Sequence, residues 1–241
     1  MSQLIVKMRS DLQAYKALEH HQSGYAYYQE LNQLQQWQAR RLRKSHASLL
    51  HEPNYRSATE FILDEVYGGI DLYDIALDID RALPVAMRLF SDKVMETAAM
   101  ALELNLLTAQ LDLEMMKAHF IEFGFAEISE ESYLEAYRLC DHFTVRKTQI
   151  ELAQNLSLAI DQYIASKMIY MGFKMAKGPA YAAGLQALYG FMRKGFDVLR
   201  PLGGAQHFVA RITQPELHFI ERIKSRQQNP FKWQETEVAH F

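Results

Sequence analysis

Very little in this chain interrupts or cross-links it. Cysteine appears once, at Cys140, which excludes an internal disulfide and fits a reducing compartment. Eleven glycines and six prolines are spread over 241 residues, so they mark boundaries rather than fill linkers. No stretch reaches the roughly 18 consecutive apolar residues that a membrane span requires. The N-terminus, MSQLIVKMRSDLQAYK, scatters acid and base where a secretory signal would hold an apolar segment. An excess of one charge is also missing. Lys and Arg total 26 against 29 Asp and Glu, a net charge of −3, which argues against nucleic acid and membrane surfaces as partners. There is no Gly-rich phosphate loop, no G-x-S-x-G and no Cys cluster for zinc. The expectation is a cytoplasmic protein.

What remains is ordinary soluble composition, 49% apolar and 23% charged, with apolar residues recurring at helical spacing and no period-2 run. The expected fold is all-α, one bundle-like domain over 1–228 of about seven to nine helices, with a loosely packed tail at 229–241. The turn signals place helices over 3–21, 25–50, 57–67 and 72–83, the last broken or kinked at Pro84. Further helices are expected over 91–123, opened by a Ser91 cap, and over 129–171 with a break near 143–144. Two more cover 179–200 and 205–226, the last kinked or divided at Pro215. The first two helices could project as a hairpin.

Glu65, in 58-ATEFILDEVYGG-69, poses the sharpest question. At about 100° per residue it falls inside the apolar sweep of Ala58, Phe61, Ile62 and Val66. A buried carboxylate needs a partner or a raised pKa, and Tyr67 and Arg81 are candidate partners. Helix 91–123 carries two polar stripes. Glu96, Glu103, Gln110, Glu114 and Lys117 form an ordinary solvated face. On the other side Asn105, Thr108, Asp112 and His119 follow each other at helical steps. That stripe reads as a satisfied buried network, as a helix end emerging into water at His119, or as the wall of a pocket with Asp112 and His119 as acid–base or metal-binding groups.

Several motifs carry less. The paired Glu-x-x-His that a helical dimetal site needs does not occur, so no metal ligands are assigned, and no cofactor is specified. The segment 19-EHHQ-22 reads as a fraying helix end, and Cys140 as a small core hydrophobe. The basic run 40-RRLRKSH-46 reads as a solvated face or as partners for acidic segments, against a weaker nucleic-acid reading through Arg40, Arg41, Arg43 and Lys44. Ala180, Ala183, Ala187 and Gly190 make a small-residue stripe, and Phe191, Phe196 and Phe208 a core set.

The order WQARRL (37–42), PNYRSATEFILDEVYGG (53–69), RALP (81–84) and ALELNLLTAQLD (101–112) resembles the uncharacterised bacterial FFLEELY-motif proteins, the signature standing here as 61-FILDEVY-67. YAAGLQALYGFMRKGF (181–196) is similar to the C-terminal part of that family. The resemblance implies a bacterial, all-helical, soluble protein and carries over no catalytic residue. Two functional readings follow. The first is a non-enzymatic protein that binds a protein partner or a small apolar ligand, suggested by eleven Met, thirteen Tyr and thirteen Phe. The second is an enzyme or metal-dependent protein built around Glu65, Asp112 and His119, which requires the three to converge on one cavity. A homo-oligomer is compatible with either.

Overall fold

Apolar residues three and four apart decide where each helix lies and what it buries. In the computed structural model, which describes residues 3–66 and 72–232, α1 (Gln3–Lys16) buries Ile5, Met8, Leu12 and Tyr15 as one stripe. It is followed by α2 (Tyr28–Ser45), α3 (Ala47–His51), α4 (Arg56–Phe61), α5 (Tyr73–Leu89) and α6 (Asp92–Met116). The second half holds α7 (Glu130–Cys140), α8 (Phe143–Ile164), α9 (Lys167–Met175), α10 (Lys177–Ala182), α11 (Gln186–Leu199) and α12 (Gln206–Lys224). Twelve α-helices, with no strand among the described residues, make the chain all-α.

The count exceeds the expected number because single residues divide three of the long segments. The stretch 25–50 starts at Tyr28 and turns at His46, where ψ is 26°, leaving α3 as a short appendage. The stretch 129–171 breaks twice, once beside the expected 143–144 and once more before Lys167. Asp141 takes the left-handed conformation at φ 50° and ends α7, and Ser166 caps α9 by accepting the Ile169 N–H at 3.3 Å. Gly184, at φ +73°, separates α10 from α11, so the small residues Ala180 and Ala187 stand on different helices. Prolines err in the opposite direction. Pro84 and Pro215 lie inside α5 and α12, and neither ends its helix. A helix interior proline costs about 3 kcal/mol, and burial around it, by Ala76, Leu83 and the partly buried Ala86 in α5 and by Ile212 and Phe219 in α12, outweighs that. Ser91 stands at the N-cap of α6, but its side chain makes no capping bond. The proposed stop at Gly68-Gly69 lies outside the described residues.

Three apolar cores result. One gathers α1, α5 and the first half of α6 around Met8, Leu83 and Leu102. A second joins α2, α7, α8, α12 and the end of α6 around Leu34, Met115, Tyr133 and Ile223. The third packs α3 and α4 on the start of α12 through Leu49, Ala58 and Phe208. Asp78 ties α5 to α11: it is buried, pairs with Arg81, and its Oδ2 accepts the Leu188 N–H at 2.9 Å in the first turn of α11. Beyond Leu102, Leu106 and Ala109 of α6 still pack on the first core, and Leu113, Met115 and Met116 join the second.

The segment after α12 is not loose throughout. Phe231 packs on the second core, its ring 6.3 Å from Trp37 and 5.7 Å from Phe219; residues 233–241 lie outside the described ones. His21 sits between Tyr15 and Tyr73, edge-on to the first and tilted against the second, with ring centres at 4.7 and 4.6 Å, so 19–22 is a packed turn rather than a fraying end.

Candidate functional site

Five helices turn one polar stripe each towards the gap between the cores. α2 contributes Asn32, Gln35, Gln38 and Arg41, α6 contributes Asn105, Thr108 and Asp112, and α8 contributes Arg146 and Gln149. α7 adds Tyr133 and Tyr137, and α12 adds Glu216 among Phe219, Ile220 and Ile223. All follow i, i+3, i+4 spacing, so each stripe is the inward face of its helix. They line a partly open cavity of about 150 Å³, comparable in volume with cavities that admit a benzene-sized molecule. Its wall extends to Tyr28 at the start of α2, which is exposed.

Two networks line this cavity, and they differ in completeness. Arg41 Nη1 donates to both oxygens of Glu216, at 2.5 and 2.7 Å, and His46 Nε2 lies 3.1 Å from the same carboxylate. Burial alone would push the Glu216 carboxyl up, but Arg41 and His46 hold it down at about 2. The Arg41 guanidinium also sits 5.0 Å from the Phe231 ring centre. The charge of Arg41 is thereby matched, although its Nε has no hydrogen-bond partner. The second network is open. Asp112 Oδ2 accepts from Gln35 Nε2 at 3.2 Å, and Gln149 Nε2 donates to Thr108 at 2.7 Å. Burial raises the Asp112 carboxyl, against the opposing pull of Gln35, Arg146 and Gln38. Arg146 is buried with its guanidinium 4.3 Å from the Tyr137 ring centre, yet its Nε and Nη2 have no hydrogen-bond partner.

Of the residues singled out in the sequence, Asn105, Thr108 and Asp112 share the cavity wall. Glu65 and His119 do not. Glu65 is half-buried and accepts from Lys194 Nζ at 2.8 Å, while Arg81 is engaged with Asp78 and Tyr67 lies outside the described residues. The reason is a change of pitch: from Ile62 to Val66 the chain forms a π turn, whose residues advance less around the axis than those of an α-helix. Leu63 becomes buried and Glu65 swings out of the apolar sweep. A second π turn, Lys117–Glu122, takes His119 off the polar stripe in the same way. Instead of emerging into water, His119 is fully buried, with Nε2 3.0 Å from Ser132 Oγ in the capping box of α7, and burial lowers its pKa. Glu65, Asp112 and His119 therefore have no common wall. Because Glu65 holds only a half-exposed ion pair, Glu65→Gln and Glu65→Leu should each change unfolding free energy by less than about 1 kcal/mol in urea titrations; a loss of about 3 kcal/mol would mean a buried pair.

The basic run hides the signal that matters. Arg40, Arg43 and Lys44 are exposed, with Arg43 paired to Asp64, whereas Arg41 points inward to Glu216. Gln35, Gln38 and Arg146 drew no notice in the sequence, although the steps Gln35, Gln38, Arg41 and Arg146, Gln149 are inward-face spacings. Cys140 is half-buried and its thiol is pushed up by burial. Among the described residues no three His, Cys, Asp or Glu side chains gather closely enough to hold a metal ion, and no helix is long and apolar enough to cross a membrane.

A family model matches residues 17–230. The chain belongs to the family described as Domain of unknown function (DUF8198). The matched DUF8198 span runs from before α2 to beyond α12 and takes in every cavity-lining residue except Tyr15 and Phe231. No curated protein and no solved structure matches the chain.

Proposed function

We propose that this DUF8198 protein is a non-enzymatic binder of a small polar molecule, held in the cavity between α2, α6, α7, α8 and α12. The observation that carries the reading is the convergence of amide, hydroxyl and carboxyl groups from three helices, Gln35, Asn105, Thr108, Asp112 and Gln149, on one cavity of about 150 Å³. Binding sites place a few polar groups in an otherwise apolar wall, and here the apolar part comes from Leu31, Ile220 and Ile223. The wall chemistry favours a polar ligand over the apolar one that the Met and aromatic content suggested. A cytoplasmic location and the likeness of 61-FILDEVY-67 to the FFLEELY-motif proteins fit this reading and assign no reaction. The other carboxylate on the wall, Glu216, is held by Arg41 and His46, so the reading assigns no reaction.

A fragment survey by NMR tests it. Polar fragments of up to about ten non-hydrogen atoms should shift the side-chain amide signals of Gln35, Asn105 and Gln149 together, since such a fragment is of the size that a 150 Å³ cavity admits. Shifts confined to surface amides would overturn it.

Partner binding retains one observation of its own. Met168, Met171 and Met175, at i, i+3 and i+7 on α9, are 82%, 58% and 78% exposed, an adaptable apolar stripe of the kind partners use.

A further inference from the structure

Charge accounting around the cavity singles out one group. Arg41 is neutralised by Glu216 at hydrogen-bond distance. Arg146 has no such partner. Asp112, on the same wall, acts on it electrostatically but makes no ion pair with it, its Oδ2 accepting from Gln35 instead, and the Arg146 guanidinium lies 4.3 Å from the Tyr137 ring centre. The residue is 7% exposed, so bulk water does not solvate it. A guanidinium presents its donors as a rigid fork that matches a carboxylate with two parallel hydrogen bonds. One unpaired positive charge calls for one negative charge, and the remaining wall, Tyr133, Phe219, Ile220 and Ile223, suits a compact apolar or planar body.

We infer that the cavity takes a small organic acid whose carboxylate is seated on the Arg146 guanidinium, with its body against the Tyr133, Phe219 and Ile220 wall. This rests on the cavity being a ligand site. The carboxylate oxygens accept from Arg146, and the amides of Gln35, Gln38 and Gln149 are placed to fix the orientation of polar substituents. Arg41 takes no part, because Glu216 already occupies it.

Benzoate and its neutral isostere benzamide separate the possibilities, titrated into the full chain at neutral pH by calorimetry and followed through the cavity amide signals. Benzoate should bind at least about tenfold more tightly than benzamide, as charge-assisted fork contacts exceed neutral ones. Arg146→Lys, which keeps the charge but not the fork, should lose about tenfold in benzoate affinity and leave benzamide unaffected. Equal binding of the two probes at the cavity would overturn the carboxylate assignment while leaving the ligand-site reading intact. If neither probe moves the cavity amides at millimolar concentration, both fall. The comparison of probes on the unaltered chain stands even if Arg146→Lys does not fold.

Discussion

Glu216→Leu is expected to lower the unfolding free energy by about 3–5 kcal/mol, because it strands the Arg41 charge inside the protein. The pair has little solvent to fall back on: the two side chains are 15% and 14% exposed. Arg41→Met combined with Glu216→Leu should recover most of the loss, since replacing both members of a buried pair with apolar groups is often neutral. Acid titration gives an independent reading. The Glu216 carboxyl falls from an ordinary 4.5 to about 2 in the folded chain. A depressed carboxyl contributes stability that is present above its unfolded value and lost as pH falls through the folded one. The unaltered protein should therefore lose on the order of 3 kcal/mol from this group between pH 4.5 and about 2. Glu216→Leu should lack that component. Parallel stability curves for the two proteins across this window would contradict the buried-pair account.

Arg146→Met is expected to do the reverse, raising the stability of the ligand-free protein by about 1–2 kcal/mol. An unsatisfied buried donor costs about 1–3 kcal/mol, and more when charged. Met has similar length and can keep a contact with the Tyr137 ring through its sulfur, worth about 0.3–1.5 kcal/mol against the cation–π contact it replaces. Urea midpoints of the ligand-free proteins check this. A loss of stability comparable to that of Glu216→Leu would show that Arg146 is a structural charge with a partner, and would remove the reason for treating it as a ligand contact. Both arginines line the same cavity, Arg146 buried and Arg41 nearly so, and only Arg41 has a carboxylate at hydrogen-bond distance.

How far the sequence announced this arrangement depends on pitch. Helices with an unbroken 3.6-residue period were legible, and so was the polar stripe of α6 from Asn105 to Asp112, because its residues stay in register for two turns. Glu65 and His119 were misplaced for one shared reason: each lies just inside a π turn, which rotates side chains off the face that an α-helical count predicts. No proline or glycine marks either π turn at its start. The additional helix breaks rest on single residues, His46, Ser166 and Gly184, of which the serine is a usual cap and the glycine a usual turn signal. Pro84 and Pro215 show the complementary failure, where tertiary packing overrides a local breaker. The cavity itself was only half visible. Its α6 wall stood out because polar residues there interrupt an apolar helix, whereas Gln35, Gln38 and Arg41 lie in a helix polar almost all round, where an inward polar face looks like any other. Arg146 was hidden for the same reason among Thr144, Lys147 and Thr148, and nothing local says that α8 packs on α12 and so turns Arg146 inward.

The central claim is that an unpaired arginine marks the cavity as a ligand site, and native mass spectrometry tests it most directly. The unaltered protein and Arg146→Met would be purified side by side from the same host cells under gentle conditions. The account predicts a stoichiometric small-molecule adduct on the unaltered protein and none on a folded Arg146→Met. Two bare chains, or the same adduct on both, would contradict it.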